Sequence, residues 1–348
     1  MNNPFSIMFG KEPSQMISRI TQSDLIINSF SRENPSTQIF MITGVRGSGK
    51  TVLMTSIAKK FEKEKDWVVV ELNPSTDLLH HLASKLYNNK SIIEIFKKAK
   101  INLSFWGIGA EIEQEEPITD MEIAVSRMLE SLRKRKKKVL ITIDEASNTN
   151  EMRVFASAFQ IFVRHDLPVF LLMTGLQENI DSLQNNEILT FLHRAPKIYL
   201  EALDLTRIAY SYQNVFGLDT EKTREMAKLT RGYPYAFQVL GYYTFEKNKD
   251  YKSAIPDCRQ YLNEYVYDKI WSELSKTDKK VLIAAAQCDD HSVKEIRSKL
   301  GMEPNEFSPY RARLIKKGLI SRTDYGYIEF LLPFFEDYVL DNSWLESL

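Results

Sequence analysis

The sequence predicts an α/β protein built on a parallel β-sheet, followed by a helical region and a small C-terminal module. Short apolar runs typical of buried strands, such as 39–42 and 139–143, alternate with longer stretches whose apolar residues recur at helical spacing. Beyond residue 205 the helical spacing continues up to a strand–turn–strand pattern in "GLISRTDYGYIEFLLP". The length of 348 residues allows two or three cores.

The composition excludes several classes of protein. Acidic and basic residues balance at 46 each, so no global field favours nucleic acid or a membrane surface. Two cysteines, Cys258 and Cys288, are too few for a disulfide framework or a zinc site. The opening "MNNPFSIMFGKEPS" lacks the pattern of a signal peptide, and no apolar run reaches the ~20 residues that span a bilayer. We therefore expect a cytoplasmic protein without a membrane segment.

A glycine-rich segment, "ITGVRGSGKT", lies between a predicted strand and a predicted helix. It fits the pattern G-x-x-x-x-G-K-[ST] through Gly44, Val45, Arg46, Gly47, Ser48, Gly49, Lys50 and Thr51. Glycines let such a loop curl, so that its N–H groups and the following helix N-terminus face phosphate oxygens. Lys50 would reach the β- and γ-phosphates, and the Thr51 hydroxyl would ligate Mg²⁺. The segment predicts ATP or ADP binding; a chance glycine-rich turn is the alternative.

Two further strand ends carry polar residues. In "KKKVLITIDEAS", Asp144 would hold the Mg²⁺ shell and Glu145 would polarise the attacking water. The run Leu167 to Gly175 ends in Thr174, whose hydroxyl could sense the γ-phosphate or orient water. The alternative for Thr174 is a strand-end residue without a role. We predict that Glu145 and Thr174 are catalytic and that Thr51 and Asp144 bind the metal.

These segments together resemble a known family. The glycine-rich loop, "LITIDE", "FLLMTG" and "FLHRAPKIYLEALDL" look like an AAA+ ATPase module, nearest to the origin-recognition-like and STAND-type ATPases of prokaryotes. "NPFSIMFGKEP" is similar to the lead-in that runs beside the adenine. "TRGYPYAFQVLG" resembles the STAND glycine-x-proline motif, here Gly232, Tyr233 and Pro234. The resemblance covers residues ~1–245 and implies ATP hydrolysis.

The resemblance also implies roles for single residues. Arg194 would be the arginine finger or a phosphate-sensing arginine, although it could instead be a solvated residue at a helix end. Pro234 would contact the base or the β-phosphate side. Arg231 precedes the glycine and no arginine follows closely, which departs from the AAA+ pattern. This departure favours a slow, STAND-like ATPase.

The predicted organisation has three parts. Residues 1–203 form the AAA+ nucleotide-binding core, 204–275 the helical lid and connector, and 276–348 a winged helix-turn-helix. The last part has helices over 278–288, 293–300 and 305–317, then strands that meet at Tyr325 and Gly326. Inside the core, "KINLSFWGIGAEIEQEEP" alternates as a β-hairpin does. The run "RKRKKK" is interpreted as a solvated helix end rather than a DNA-binding patch.

The C-terminal module carries a locally basic face. It consists of Arg311, Arg313, Lys316, Lys317 and Arg322. Such a face suits DNA phosphates. The sequence therefore predicts a nucleotide-gated, DNA-associated ATPase that forms a nucleotide-dependent homo-oligomer. The alternative is an intracellular signalling switch in which the winged helix is an intramolecular clamp and does not bind DNA.

Overall fold

The computed structural model describes residues 2–8, 13–112, 115–187, 189–322 and 326–343. The chain divides into two compact units. The sheet unit comprises Arg19–Thr43 and Lys50–Tyr199. The helical unit comprises Met1–Ser18, Gly44–Gly49 and Leu200–Leu348.

The sheet unit contains five parallel strands in the order β2-β3-β4-β1-β5. They are β1 Ile39–Thr43, β2 Trp67–Leu72, β3 Lys138–Ile143, β4 Val169–Gly175 and β5 Lys197–Tyr199. Their registers pair Ile143 with Met173 and Thr43 with both Gly175 and Tyr199. Because every strand is parallel, the residues that follow β1, β3 and β4 lie at one edge of the sheet. The predicted parallel-sheet α/β fold is confirmed.

Helices cover both faces of this sheet. They are α1 Ile20–Ser31, α2 Lys50–Glu62, α3 Leu78–Tyr87, α4 Ile93–Lys98, α5 Met121–Arg133, α6 Asn150–Arg164 and α7 Gln177–Gln184. Alternate strand residues point to opposite faces. On one face, Phe40 packs on Phe30 of α1, and Trp67 packs on Phe61 of α2. On the other face, Met41, Ile141 and Leu171 join the buried residues of α3, α5 and α6 in one core.

The predicted β-hairpin between α4 and α5 was wrong for the residues described there, 100–112 and 115–117. They contain a 3₁₀ turn, Ser104–Trp106, and no strand. Asn102 is buried, and its amide donates to the Glu115 carbonyl at 2.7 Å. Gly107 then takes a left-handed φ of 69°. An asparagine that bonds backbone in this way favours a turn over a strand. Glu113 lies outside the described residues.

The basic run between α5 and β3 is fixed by local contacts. Arg133 is the last residue of α5, where a cation suits the negative helix end. Its guanidinium donates to the His165 carbonyl at 3.1 Å. Lys138 begins β3, and its ammonium lies 5.3 Å from the centre of the Trp67 ring. These contacts agree with a helix end rather than with a separate basic surface.

The helical unit contains nine described helices and one antiparallel pair of strands. The helices are α8 Leu205–Phe216, α9 Thr220–Leu229, α10 Pro234–Glu246, α11 Tyr251–Leu262, α12 Asp268–Ser272, α13 Lys276–Ala286, α14 Val293–Leu300, α15 Pro304–Lys316 and α16 Phe335–Asn342. The strands are β6 Ile320–Arg322 and β7 Ile328–Phe330. A π-helical turn, Asn263–Tyr267, joins α11 to α12.

One apolar core runs through the helical unit. Phe5 is buried in it and stacks on Phe216 at 5.5 Å, and a Cβ on Gly241 of α10 would meet the Phe5 ring at 2.5 Å. The order α13, α14, α15, β6, β7 is the one that the sequence predicts for a winged helix-turn-helix, and that assignment stays a prediction. Tyr325, predicted at the turn between the strands, lies outside the described residues. Among the residues that the structure describes, every helix is too short or too polar to cross a bilayer.

Candidate functional site

The glycine-rich loop follows β1 directly and leads into α2. Its first six residues, Gly44–Gly49, group with the helical unit, and Lys50 opens α2 in the sheet unit. Gly44, Gly47 and Gly49 have φ angles of 153°, 75° and 88°. A Cβ on Gly44 would lie 2.6 Å from the Ser48 hydroxyl oxygen. Glycine is therefore required for the curl of this loop.

Tyr233 lies against the loop within the helical unit. Its hydroxyl donates to the Arg46 carbonyl at 2.8 Å, and a Cβ on Gly47 would come within 2.1 Å of the Tyr233 oxygen. The ring is only 4% exposed, and burial raises the Tyr233 pKa above its ordinary range. The phenol therefore remains a protonated donor at neutral pH.

A cluster of hydroxyls and carboxylates lies at the carboxyl edge of the sheet. The Thr51 hydroxyl, in the first turn of α2, donates to Asp144 Oδ2 at 2.8 Å. The Thr174 hydroxyl, near the end of β4, donates to Asp144 Oδ1. The structure thus brings together Thr51, Asp144 and Thr174, which the sequence placed on three separate segments. Hard divalent cations such as Mg²⁺ prefer hydroxyl and carboxylate oxygens of this kind, so Thr51 and Asp144 fit that ion.

Glu145 follows Asp144 in a constrained conformation. Its φ is 54°, in the left-handed region that non-glycine residues rarely adopt. Its N–H donates to Thr174 Oγ1 at 3.2 Å and to Asp144 Oδ1 at 3.1 Å. These bonds turn the residue out of the strand, so that it is exposed. Its carboxylate makes no hydrogen bond to the described residues, which suits a group that holds a water molecule.

Thr174 is completely buried. A threonine hydroxyl has a single proton to donate, and Thr174 donates it to Asp144 while accepting from the Glu145 N–H. Thr174 cannot therefore donate to a phosphate in this arrangement. Its catalytic role stays a prediction, and the geometry favours positioning of the two acidic residues.

We expect Thr174→Val to slow hydrolysis by ~10-fold or more, since valine removes one hydrogen bond from Asp144 and one from the Glu145 N–H. Thr174→Ser keeps the hydroxyl and is the matched control, expected to stay within about threefold of the wild type. Phosphate release gives the rate, and calorimetry gives the ATP affinity, which should change little. An equal loss in both variants would instead assign Thr174 to packing.

Two further predicted site residues, Arg194 and Pro234, lie on other elements. Arg194 ends the 3₁₀ helix Thr190–Arg194 ahead of β5, at the opposite edge of the sheet from Asp144. Its side chain is exposed and makes no hydrogen bond or ion pair to the described residues. Pro234 is the first residue of α10 in the helical unit, where its fixed φ suits a helix start. The roles of Arg194 and Pro234 stay predictions.

Sequence reasoning missed two residues that contact the loop. Tyr233 belongs to a sequence motif only as the middle residue of glycine-x-proline, and Glu273 belongs to none of the motifs described above. The Glu273 carboxylate accepts from the Arg46 guanidinium at 3.3 Å, although the two residues are 227 positions apart. No local pattern links such positions, so only the tertiary structure could have found them.

The parallel sheet and the glycine-rich loop between β1 and α2 define a P-loop fold. Residues 26–168 match a family model described as an ATPase domain predominantly from Archaea. A second model, described as a domain of unknown function, matches residues 264–339. No curated protein matches the chain significantly in sequence.

Solved structures resemble the whole chain at low sequence identity. A Walker-type ATPase of Pyrococcus abyssi is 15% identical with a TM-score of 0.67, and the match covers 93% of this chain and 96% of that one. The ORC2 protein of Aeropyrum pernix, solved as ADPNP–ADP complexes, is 13% identical with a TM-score of 0.65, covering 97% and 96%. At this identity the likeness concerns the fold, and it confirms the predicted origin-recognition-like P-loop architecture.

Proposed function

We propose that this protein binds ATP with Mg²⁺ and hydrolyses it slowly, and that the bound nucleotide sets the state of the chain. The observation that carries the proposal is the hydrogen bond between Thr51 and Asp144. It joins the end of the phosphate-loop motif to the carboxylate that follows β3, 93 residues away. The ADPNP–ADP complexes of the Aeropyrum pernix protein and the match to an ATPase domain support this reading.

In the proposed reaction each group has a separate task. The N–H groups of the loop and the Lys50 ammonium bind the phosphate oxygens. Thr51 and Asp144 would hold Mg²⁺, which, when bound, neutralises charge on the β- and γ-phosphates. The exposed Glu145 carboxylate accepts a proton from the attacking water. Its N–H bonds to Thr174 and Asp144 fix the position from which it does so.

The direct test is calorimetric titration of the purified protein with ATP and ADP in the presence of Mg²⁺, followed by measurement of phosphate release. We expect saturable binding of both nucleotides and slow, Mg²⁺-dependent release of phosphate. Withdrawal of Mg²⁺ should weaken ATP binding and stop hydrolysis. Absence of binding at millimolar nucleotide would reject the proposal.

We further propose that the C-terminal module contacts DNA, and we take Lys316 and Lys317, at the end of α15, as the phosphate-binding residues to test first. Arg311 and Arg313, the other two cations predicted there, make defined bonds within the module. The Arg313 guanidinium donates to both oxygens of the buried Asp278 carboxylate, at 2.7–3.0 Å. Arg311 donates to the Tyr327 carbonyl at 3.1 Å. These bonds favour a structural role for Arg311 and Arg313.

The bonds of Arg311 and Arg313 also support a second candidate function. This is a signalling switch in which the C-terminal module acts as an intramolecular clamp. Arg313 joins α15 to the first turn of α13, where Asp278 also accepts from Ser275. Removing one partner of a buried ion pair leaves an uncompensated charge. Cations that stabilise the module in this way have little freedom to bind DNA phosphates. The salt dependence of DNA binding distinguishes the two candidates.

Replacing Lys316 and Lys317 with alanine is expected to weaken DNA binding on every sequence and to flatten the log–log salt slope. The slope should fall by about one unit for each lost phosphate contact. A charge-matched control replaces Lys228 of α9 and Lys280 of α13, both exposed and outside α15. Fluorescence anisotropy over a salt series measures the slope. Unchanged DNA binding with altered nucleotide exchange would favour the clamp.

We also propose a nucleotide-dependent homo-oligomer in which Arg194 acts on the nucleotide of a neighbouring copy. Its place at the amino end of β5 supports this reading, because the metal-binding cluster follows the carboxyl ends of β3 and β4. A guanidinium supplied by a neighbouring copy can stabilise the charge that develops on the transferred phosphoryl group.

A further inference from the structure

Arg46 is contacted at two points by residues distant in the sequence. Tyr233, the residue before α10, donates to its carbonyl at 2.8 Å. Glu273, which follows α12, accepts from its Nη2 at 3.3 Å. All three residues belong to the helical unit. Arg46 occupies the second variable position of the phosphate-loop motif, so these contacts bear directly on the loop backbone.

We propose that Tyr233 and Glu273 are positioning residues of the phosphate loop, which hold Arg46 by its carbonyl and its guanidinium and thereby govern how fast nucleotide is released. The inference rests on the proposed nucleotide-binding function. It assigns control of that site to the lid residue Tyr233 and to the segment between α12 and α13.

The Tyr233 contact fixes backbone geometry. The Arg46 carbonyl accepts from the Tyr233 phenol, and this bond defines the orientation of the peptide group between Arg46 and Gly47. The Gly47 N–H belongs to the same peptide group. Gly47 has a φ of 75°, and the space that its Cβ would fill is occupied by the Tyr233 hydroxyl. A loop that cradles phosphate works through the direction of its N–H groups. Tyr233 therefore holds one of these groups in place before any ligand arrives.

The Glu273 contact is adjustable. Its carboxylate also accepts from Lys269, one helical turn earlier, at 3.2 Å. The Arg46 and Glu273 side chains are 35% and 36% exposed, so this ion pair is weak and can exchange partners. The Nε atom of Arg46 is buried without a hydrogen-bond partner among the described residues. Lys269 can thus keep its ion pair with Glu273 when Arg46 moves away. Once Lys269 is removed, Arg46 no longer competes with it for the Glu273 carboxylate.

Three variants test the proposal. Two are expected to speed nucleotide dissociation, and the third is expected to slow it. Tyr233→Phe keeps the buried ring and loses only the donor, and Glu273→Gln removes the charge. Lys269→Met removes the competing cation and leaves the loop contacts intact. With a fluorescent ADP analogue, we expect dissociation to become about threefold to tenfold faster in Tyr233→Phe. It should become about twofold faster in Glu273→Gln and slower than the wild type in Lys269→Met.

Amide hydrogen exchange over Gly44–Gly49 without nucleotide gives a reading that does not depend on ligand binding. We expect faster exchange in Tyr233→Phe and Glu273→Gln than in the wild type, with unchanged thermal unfolding showing that the fold is kept. Unchanged loop exchange in both variants overturns the proposal, as does a Lys269→Met variant that releases nucleotide as fast as Glu273→Gln. If loop exchange responds as expected but the wild type binds no nucleotide, the positioning role holds and the proposed ATPase function fails.

Discussion

Replacing Glu145 with glutamine is expected to give a protein that binds ATP normally and hydrolyses it at least ~10²-fold more slowly, equivalent to ~2.7 kcal/mol of barrier. The amide has the size of the carboxylate but cannot accept the proton of the attacking water. The backbone of residue 145 keeps its bonds to Thr174 and Asp144, so the Asp144 carboxylate stays in place. Single-turnover phosphate release, with calorimetry for affinity, measures the two effects separately.

The control for Glu145 is Glu151→Gln, which changes an exposed carboxylate in the first turn of α6. That variant should hydrolyse ATP at the wild-type rate. If Glu145→Gln also turns over normally, Glu145 is not the base. A parallel fall in affinity would show that the substitution had disturbed Asp144 instead.

Replacing Lys50 with alanine is expected to raise the Kd for ATP by at least ~10²-fold, or ~2.7 kcal/mol, while the protein stays folded. Lys50 is the first residue of α2, at the positive end of a helix whose N-terminus follows the glycine-rich loop. Hydrogen bonds from a charged donor to phosphate are worth more than neutral ones. Titration with ATP and Mg²⁺ measures the loss.

Lys63→Ala is the matched control for Lys50, because Lys63 is an exposed cation just beyond the other end of α2. It should bind ATP as the wild type does. Equal affinity in Lys50→Ala and Lys63→Ala would contradict the assignment of the phosphate loop. Circular dichroism of both variants shows whether the fold is retained.

The sequence could predict those parts of the molecule that depend on local patterns of apolar and polar residues. The strands β1, β3 and β4 are largely apolar runs, and the candidate site residues lie at the ends of these strands or shortly after them. Parallel pairing then brings Thr51, Asp144 and Thr174 together, as the sequence implied. The turn before α5, which the sequence predicted as a hairpin, could not be predicted in this way. Its alternation was present, but Asn102 is buried and bonds backbone, which no period of two reveals.

The remaining features depend on contacts between distant segments. Arg313 was predicted to bind DNA because its own helix is basic. The residue it bonds to, Asp278, lies 35 positions earlier in the sequence. The hold of Tyr233 and Glu273 on Arg46 spans 187 and 227 residues. Pairings of this length follow from the packing of whole elements, so they leave no periodic signal in the sequence.

The edge of the sheet on which Arg194 lies has a consequence for kinetics. Arg194 ends the 3₁₀ helix that precedes β5, at the amino ends of the parallel strands, whereas Asp144 follows the carboxyl end of β3. If Arg194 acts on the nucleotide of a neighbouring copy, as we propose, any step that needs its guanidinium is second order in protein. Turnover per copy would then rise with protein concentration and fall on dilution.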